Sequence, residues 1–571
     1  MPSSSPSAAD TRPTKIIKMD DSIDVTDAVT GTEPVPSYRP DAKTRRYDRQ
    51  LRLWASAGQR SLEAARVLLV GCDAAGCQSL KNLVLPGISH FTILSPKTTT
   101  SQDVATNFFL HPDAIGSNIA QESVKYLKEL NPSVEGLART DDPVALLASD
   151  PHYFLSFTLI ILSSVDPALE NQLSELLWQA SSTVGGADIP LISIRNSGFV
   201  SRVQIQLREH AVIDSHPDTT HTLRLDEPFP ALEQHARSLQ LADMDTLEHS
   251  HIPWVVLLVR AASIWKENHG GKLPDTSEEK AEFKEQIKAE KVKSDEENYD
   301  EALGQAYKVW QKSEVPWEIK QLLEDESVKN ISHSSKNLQI LLHTLSQYII
   351  PAPHLPPTSP SLPDMHSSTE SYVALQNMYK AQHQADLAKF KELLAQVLEK
   401  VGLPVESVPA DEVEGFVRNV GGVGIIKGTS LRESKDGKGL LAAELESFDE
   451  EYLENATPLS LYLAILAAEK FFDNNKRWPG TTTVEALKQD NAELESIVKS
   501  LLPQHPDLPD VVSESIAEVT RGGFATIPTT AALVGGVVAQ EVIKLVTNQY
   551  TPLDNTVVFD LIKSGSAKYK F

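Results

Sequence analysis

Cysteine is almost absent from this sequence, whose 571 residues include only Cys72 and Cys77. Structural zinc sites need four ligands, commonly in closely spaced pairs, and one pair five positions apart does not supply them. Proteins of oxidising compartments often carry many cysteines that form disulfides. The scarcity argues against a zinc site and predicts an intracellular protein of the cytoplasm, the nucleus or both.

Positive charge is also scarce, with 53 Lys and Arg against 78 Asp and Glu, a formal net charge of −25. Nucleic acids and anionic membranes attract basic surfaces, so this balance argues against both as main partners and favours basic proteins. No run reaches the roughly 20 apolar residues of a spanning helix. The closest, residues 253–265, contains Arg260 and is expected to be a buried helix. The N-terminus lacks the apolar core of a secretory signal.

Strand-like and helix-like segments alternate in the first two hundred residues. Residues 65–70 and 91–95 are typical of strands, and 116–134 contain an amphipathic helix. Residues 157–164 form the continuous apolar run of a buried parallel strand, and 189–195 and 199–207 are two further strand-like segments. Such alternation predicts an α/β sheet with helices on both faces. The chain length corresponds to two to four domains.

The character of the chain changes three times. A tail rich in Ser, Pro, Thr and Asp has no periodicity and is predicted to be disordered. A long stretch of helical period then interrupts the α/β pattern, which returns near the C-terminus with a helix that contains two adjacent glycines. Glycines weaken a helix, so we expect this one to pack very close to a neighbouring backbone. The predicted ranges are 1–42 for the tail, 43–212 for the first part of the α/β domain, 213–508 for the inserted helical domain, and 509–571 for the last part of the α/β domain.

Residues 68–87 run from a strand through a glycine into a helix, the layout of a phosphate-binding elbow. Such an elbow reads Gly-x-Gly-x-x-Gly, with the middle glycine where the backbone approaches the phosphates. Gly71 and Gly76 keep two of these positions, but Asp73 occupies the middle one. At about 4 Å and an effective dielectric near 20, each pair of like charges costs on the order of 4 kcal/mol, or about three orders of magnitude in affinity. The elbow therefore keeps its turn without admitting a phosphate; the alternatives are an unusual residue in a working site, or adaptation of the site to another ligand.

Three longer segments carry a resemblance to a known family. They are YDRQLRLWASAGQRSL (47–62), VLLVGCDAAGCQSLKNLVLPGISHFTILS (67–95) and IPTTAALVGGVVAQEVIKLVTNQYTPL (527–553). Together they resemble the ubiquitin-activating enzyme family. Within it, NNKRWPG (474–480), SHPD (215–218) and the long insertion resemble the non-catalytic chains of the heterodimeric enzymes of the neddylation type.

The resemblance implies a Rossmann-like, ThiF-like adenylation fold interrupted by a helical domain that corresponds to the catalytic-cysteine domain. In the family, one half uses ATP and magnesium to adenylate the C-terminus of a ubiquitin-like modifier. A cysteine of the insertion then takes the acyl group as a thioester, and the modifier passes to a conjugating enzyme. The chain would be the regulatory half of an obligate heterodimer. Its implied partners are a catalytic subunit, the modifier and the conjugating enzyme, with ATP and magnesium bound by the catalytic subunit.

Groups that the family uses to hold ATP are missing at the matching positions. Ser95, followed by Pro96, stands where an acid holds the ribose. Thr106 replaces an arginine that helps hold the triphosphate, and Ile119 replaces the lysine of a Gly-x-x-Lys-Ala motif. Asp166 lies near an aspartate that helps place magnesium, in a register that the sequence leaves open by one residue. With Asp73, four expected groups are replaced, so the resemblance implies an inactive site that binds no cofactor.

A catalytic cysteine is also missing, because none occurs between residues 210 and 516. Cys72 and Cys77 lie in the elbow and its helix, where small buried hydrophobic residues are expected. The chain is therefore not expected to form a thioester.

One group of the family's active site is present. The family's Tyr-x-Arg-Gln motif carries an arginine that reaches the ATP of the other half, and here the motif is Tyr-Asp-Arg-Gln with Arg49. The resemblance implies that Arg49 acts in trans on the partner's ATP. The alternative is a surface arginine among its basic neighbours, paired with some acid.

Other functions remain open at this point. The chain could be a self-sufficient α/β enzyme that uses ATP or a dinucleotide, although Asp73 and the lost ribose acid oppose this. It could also be a pure interaction scaffold, or the equivalent subunit for a different modifier. The long insertion disfavours the SUMO-type subunit, which lacks most of it.

Overall fold

A mixed eight-stranded sheet forms the centre of the computed structural model, which describes residues 41–182, 188–214, 223–435, 439–446, 457–480, 483–503, 505 and 507–571. The strands of the chain are β1 Arg66–Val70, β2 His90–Leu94, β3 Glu135–Arg139, β4 Leu159–Ser163, β5 Leu191–Ser197, β6 Val200–Gln206, β7 Glu209–Ile213, β8 Val423–Lys427, β9 Thr556–Asp560 and β10 Gly565–Tyr569. The central order is β10-β9-β6-β5-β4-β1-β2-β3, with β1 to β5 parallel and β6, β9 and β10 antiparallel to their neighbours. The predicted α/β fold class is confirmed.

Most of these strands follow from the sequence. The strands β2, β4, β5 and β6 are buried along their whole lengths, as expected for a sheet with helices on both faces. The short strands β3, β7, β8 and β10 were not predicted. In β3 the sequence Glu-Gly-Leu-Ala-Arg contains no β-branched or aromatic residue, so only its pairing with β2 identifies it.

The helices of the first α/β part alternate with the strands. They are α1 Ala42–Ala64, α2 Ala74–Val84, α3 Ser101–Thr106, α4 Ile119–Leu130, α5 Pro143–Ser149, α6 Pro151–Phe154 and α7 Pro167–Ser182, with a 3-10 turn at Pro112–Ala114. The predicted tail, 1–42, falls almost wholly outside the described residues. Asp41 begins the described chain and caps α1, because its carboxylate accepts a hydrogen bond from the Thr44 amide at 2.6 Å.

The strands β7 and β8 pair as a separate two-stranded sheet at the entrance and exit of the helical insertion. Its helices are α8 Pro230–Ser238, α9 Thr246–His249, α10 Trp254–Asn268, α11 Ser277–Ala289, α12 Glu297–Gln305, α13 Trp317–Glu324, α14 Glu326–Lys329, α15 Asn337–Tyr348, α16 Thr369–Val401 and α17 Ala410–Arg418. The 3-10 turns are Leu241–Asp243, Ala306–Val309, Val405–Ser407 and Val420–Gly422. The buried helix expected at 253–265 is confirmed as α10.

Two hydrophobic cores fill the insertion, one around α10 and the other around α15. The long helix α16 contributes to both. Leu375 and Tyr379 lie in the first core, and Leu387, Phe390 and Leu394 lie in the second. Apolar residues spaced by three or four predict one buried helix face over residues 387–401, and all of them are buried except Val401, which is half-buried. This face is only part of the buried surface of α16.

After the insertion the chain returns to the sheet through α18 Gly439–Glu446, α19 Thr457–Asn475, α20 Val484–Leu501, α21 Asp510–Gly522 and α22 Pro528–Thr547, preceded by a 3-10 turn at Glu433–Lys435. Residues of α19 and α21 share a core with Val200 of β6 and Val558 of β9. Helix α19 thus packs on the sheet, although the sequence assigned it to the insertion. The predicted domain boundaries stay predictions.

Four buried charged side chains and the mostly buried Lys435 lie between this helix layer and the sheet. The Arg195 NH2 group lies 2.7 Å from the Glu170 carboxylate, and the Arg202 NH2 group lies 2.8 Å from the Glu469 carboxylate. Lys435 contacts both carboxylates. Burial by itself would raise the pKa of Glu469, but the surrounding cations hold this pKa far below its ordinary value. The cluster joins α7, α19 and the 3-10 turn at 433–435 to strands β5 and β6.

The glycines of α22 confirm a close packing for one position only. A Cβ on Gly535 would lie 2.5 Å from the Gln78 Cβ and 2.9 Å from the Ser79 nitrogen of α2. Gly536 faces open space, so the explanation by close packing is wrong for it. Helix α22 is also long and apolar enough to cross a membrane by length and composition alone, but its most apolar window is 56% buried inside the fold. A buried core helix meets the same test, so this is weak support for a membrane span.

Candidate functional site

The elbow between β1 and α2 has the geometry that the sequence predicted. Gly71 adopts a φ of +88°, and a Cβ there would lie 2.1 Å from the Ser163 carbonyl oxygen at the end of β4. Gly76 allows α2 to approach the sheet, since a Cβ there would lie 2.8 Å from the Leu69 side chain. The two glycines therefore serve the tight turn and the close helix–strand packing that such an elbow requires.

Asp73 caps α2 and accepts four hydrogen bonds. Its Oδ1 accepts from the Gly76 amide at 2.9 Å and from the Ser163 hydroxyl at 2.5 Å. Its Oδ2 accepts from the Ser164 hydroxyl at 2.8 Å and from the Thr526 hydroxyl at 2.7 Å. The N-terminus of a helix is a natural place for an anion. Here the carboxylate of the chain itself lies there, surrounded by donors from three separate segments.

A cavity of about 250 Å³ remains beside this carboxylate. It is lined by the elbow, by the ends of β2 and β4 and by Pro143, and its polar side chains include Ser95, Lys97 and Asp166. Drug-sized ligands usually occupy about 300–1,000 Å³, so the space is small for a nucleotide. The Lys97 ammonium lies 2.6 Å from the Asp103 carboxylate. Burial opposes the shift, but hydrogen bonds from Lys97 and Thr100 lower the pKa of Asp103. The one cation in this lining is thus already paired.

The other predicted positions lie around or away from the cavity. Ser95 is buried at the end of β2, and Asp166 is exposed at the rim, where it accepts a hydrogen bond from the Ala168 amide at 2.8 Å. The Thr106 hydroxyl turns back to the Gln102 carbonyl of its own helix at 3.0 Å. Ile119 is fully buried in the main core. In the described part of the chain, no group of three or more His, Cys, Asp or Glu side chains could hold a metal ion.

The two cysteines are buried next to each other, with their sulfur atoms 3.7 Å apart. The hydrogen bond to Cys77 and burial raise the pKa of Cys72 well above its ordinary value. The Cys77 sulfur accepts a hydrogen bond from the Asn107 amide at 3.3 Å. As expected, both pack as small core residues beside the elbow, and neither presents an exposed thiolate to a substrate.

Arg49 is exposed on the first half of α1. Two of its basic neighbours have partners: Arg52 pairs with Asp48 at 3.1 Å, and Arg46 donates to the Leu130 carbonyl at 3.2 Å. Within the part of the chain that the structure describes, the Arg49 side chain makes no hydrogen bond or ion pair. The alternative of a local acid partner for Arg49 is therefore not realised among these residues, and its action in trans stays a prediction.

Sequence reasoning missed the donors that hold Asp73. Ser163 and Ser164 end the predicted apolar strand, which is a weak signal for polar groups at the carboxyl edge of a parallel sheet. Thr526 lies 453 residues from Asp73, and no local pattern points to it. The NNKRWPG segment has a structural role here, because Arg477 pairs with Asp490 at 2.7 Å and the Trp478 ring stacks on Phe524 at 4.1 Å. The SHPD motif at 215–218 lies outside the described residues.

The mixed sheet and the elbow at its carboxyl edge define an adenylation-type α/β domain with a large helical insertion. The chain belongs to the ThiF family, whose model matches residues 47–569. Within this family it is similar to NEDD8-activating enzyme E1 regulatory subunits. It is 33% identical to the one from Xenopus laevis over 536 residues, which cover 92% of this chain and 98% of the relative. It is 33% identical to the Drosophila melanogaster protein, with 92% of this chain and 97% of the relative covered. It is 32% identical to the AXL protein of Arabidopsis thaliana, with 91% of this chain and 98% of the relative covered. The resemblance inferred from the sequence is confirmed.

Proposed function

We propose that this chain is the non-catalytic subunit of a heterodimeric activating enzyme for NEDD8 and that it binds no ATP itself. It pairs with a catalytic subunit, which holds ATP and magnesium, adenylates the modifier and forms the thioester before transfer to a conjugating enzyme. The relatives named above support the class. The observation that carries the inactive site is the Asp73 carboxylate at the N-terminus of α2, where it accepts four hydrogen bonds.

A phosphate at this position would meet two obstacles. It would repel the carboxylate, at a cost on the order of 4 kcal/mol for each pair of charges about 4 Å apart. Moving the carboxylate aside would also break its hydrogen bonds to the Gly76 amide and to three hydroxyl groups. Hydrogen bonds to a charged group each contribute about 1.5–3 kcal/mol, so the displacement has a large cost of its own.

The lack of a catalytic cysteine also supports a non-catalytic role for this chain. The sequence holds no cysteine beyond position 77, and the two that it has are buried beside the elbow. Replacing Cys72 and Cys77 with serine should leave modifier transfer by the heterodimer intact, apart from some loss of stability. A thioester band on this chain that disappears in the double variant would contradict the proposal.

Arg49 is the group through which this chain takes part in the chemistry. Charge shifts to the leaving pyrophosphate as the acyl-adenylate forms, and a planar guanidinium can bridge two oxygens of it. Arginines supplied in trans to phosphoryl transfer are worth about 10³ or more in rate. We expect about 10 to 10² here, because magnesium and the partner's own groups share the stabilisation.

Two measurements test the proposal. Calorimetric titration of the purified chain with Mg-ATP should give no measurable binding, and a micromolar dissociation constant would refute the inactive site. ATP–pyrophosphate exchange by the reconstituted heterodimer at saturating modifier should slow about 10- to 100-fold with Arg49→Ala and recover partly with Arg49→Lys. Exchange by Arg49→Ala at the wild-type rate would reduce the role of this chain to scaffolding.

A further inference from the structure

Helix α1 is broken two turns before its end. Trp54 has φ −125° and ψ 17°, and Ala55 has φ 53° and ψ −175°. The conformation of Ala55 borders a region that is essentially restricted to glycine, and such a residue costs about 1–3 kcal/mol. Strain of this size persists only where the surroundings hold the backbone in place. The direction of the first half of α1 is therefore imposed by contacts around the break.

Those contacts come from the other end of the chain. The Gln549 Nε2 group, just after α22, donates to the Trp54 carbonyl at 2.9 Å. The Tyr550 hydroxyl donates to the Leu53 carbonyl at 3.3 Å. Side chains almost five hundred residues away thus hold two backbone carbonyls at the break.

The packing at the break is equally specific. The buried Trp54 ring donates from Nε1 to the Gln59 Oε1 atom at 3.1 Å. Gly58 leaves room for the Trp54 and Gln549 side chains, since a Cβ at this position would lie 2.7 Å from the Trp54 Cβ and 3.0 Å from the Gln549 Nε2. The Oε1 atom of Gln549 is buried and has no partner among the described residues, at a cost of about 1–3 kcal/mol. The donation from Nε2 to the Trp54 carbonyl is the bond that orients this side-chain amide.

Arg49 lies on the segment whose direction the break sets. Tyr47 and Trp54, seven residues apart and both buried, anchor one face of this segment. The Tyr47 hydroxyl accepts from the Asn131 amide at 3.0 Å, which fixes the N-terminal end. At about 100° per residue, Arg49 projects about 200° away from Tyr47 and so points away from the fold. A rotation at the break would therefore move the guanidinium directly.

We propose that Gln549 is a positioning residue for Arg49: it holds the strained break in α1 and thereby aims the guanidinium at the partner's nucleotide. This inference rests on the proposed function, because it concerns the reaction in which Arg49 acts. Gln549 follows α22, which packs on the elbow helix α2 through Gly535.

The test replaces Gln549 with methionine, which keeps the length of the side chain and removes its donor. Gln286→Met is a matched control, because the Gln286 Nε2 group donates to the Ala261 carbonyl at 3.2 Å inside the insertion. Because one lost hydrogen bond changes a local opening equilibrium by about tenfold, hydrogen exchange over residues 42–55 in the assembled heterodimer should accelerate by about that factor in Gln549→Met and stay unchanged in the control. Unchanged exchange in Gln549→Met would overturn the inference, whatever role Arg49 has.

The kinetic arm is a double-variant cycle in ATP–pyrophosphate exchange. Misplacing a positioned group by about 1 Å can cost as much as 10²-fold, so a loosened one should cost about three- to tenfold. Gln549→Met should lower the rate of ATP–pyrophosphate exchange by that factor when Arg49 is present, and should not lower it further when Arg49 is already replaced with alanine. Equal losses in both backgrounds would show a merely structural role and overturn the inference. If Arg49→Ala catalyses ATP–pyrophosphate exchange at the wild-type rate, the trans role in the proposed function fails. Hydrogen exchange of residues 42–55 then still decides whether Gln549 holds the break.

Discussion

Replacing Asp73 with alanine removes an acceptor on which three segments of the α/β domain converge. The loss of a helix N-cap costs about 1 kcal/mol. The Ser163 hydroxyl is buried and would lose its acceptor, which costs about another 1–3 kcal/mol. Ser164 and Thr526 are more exposed, so water can replace the carboxylate for them. We expect a total loss of about 2–4 kcal/mol in the free energy of unfolding.

Thermal unfolding of the purified chain measures this loss. One kcal/mol shifts the midpoint by about 2–4 °C in a unit of 150–250 residues, so Asp73→Ala should melt about 4–16 °C lower than the wild type. Asp142→Ala is a matched control, because the exposed Asp142 only caps α5, where it accepts from the Ala145 amide at 3.0 Å. The control should lose only the contribution of a cap, about 1 kcal/mol.

The comparison between the two variants shows whether the hydroxyl groups around Asp73 add to the stability that a helix cap gives. If Asp73→Ala loses no more than Asp142→Ala, the hydroxyl groups around Asp73 contribute nothing, and the carboxylate is an ordinary helix cap. Under the proposed function, Asp73→Gly should still fail to bind Mg-ATP, because Ser95, Thr106 and Ile119 remain where the resemblance implies ribose and phosphate ligands.

Three further outcomes are expected. Ala55→Gly should raise the melting temperature, because glycine relieves a strain of about 1–3 kcal/mol at this φ and ψ, and a lower melting temperature would show that the break is not strained. Gly535→Ala should destabilise the isolated chain by about 1–3 kcal/mol through its clash with α2, whereas Gly536→Ala should stabilise it by up to about 1 kcal/mol; equal effects in urea unfolding would contradict the packing of α22. The pKa of Glu469 is lower in the folded chain, so its contribution to stability is complete above its unfolded pKa of about 4.3 and is lost as the pH falls towards the folded value. Unfolding free energy should therefore fall below about pH 4.5, less steeply in Glu469→Gln, and an identical acid limb in that variant would count against the buried cluster.

The sequence was most informative where one short segment contains the whole signal. The elbow is such a segment, since Gly71 and Gly76 stand at fixed offsets between an apolar strand and a helix, and the structure gives them the expected turn and packing. The buried strand at 157–164 and the helix at 253–265 are similar cases, because continuous apolar runs have few alternatives.

The rest depends on contacts between distant parts of the chain. Asp73 reads as an obstacle to phosphate, but its stabilising role needs Thr526, whose position no local pattern gives. Gly536 could not be distinguished from Gly535, because which side of α22 meets α2 is decided by tertiary packing. The attachment of α19 to the sheet has a partial signal in the sequence, because residues 459–468 are apolar almost all round the helix, as is typical of a helix buried between two layers.

The 33-residue helix α16 gives the insertion the mechanics of a lever. At 1.5 Å per residue it is about 50 Å long, and its side chains belong to the cores at both ends. The two halves of the insertion therefore cannot move independently unless residues such as Tyr379 or Phe390 leave their hydrophobic cores. A tilt of only about 10° at one end would carry the other end through about 9 Å. A partner that binds one half of this domain and tilts it would thus also displace the other half, because α16 connects the two.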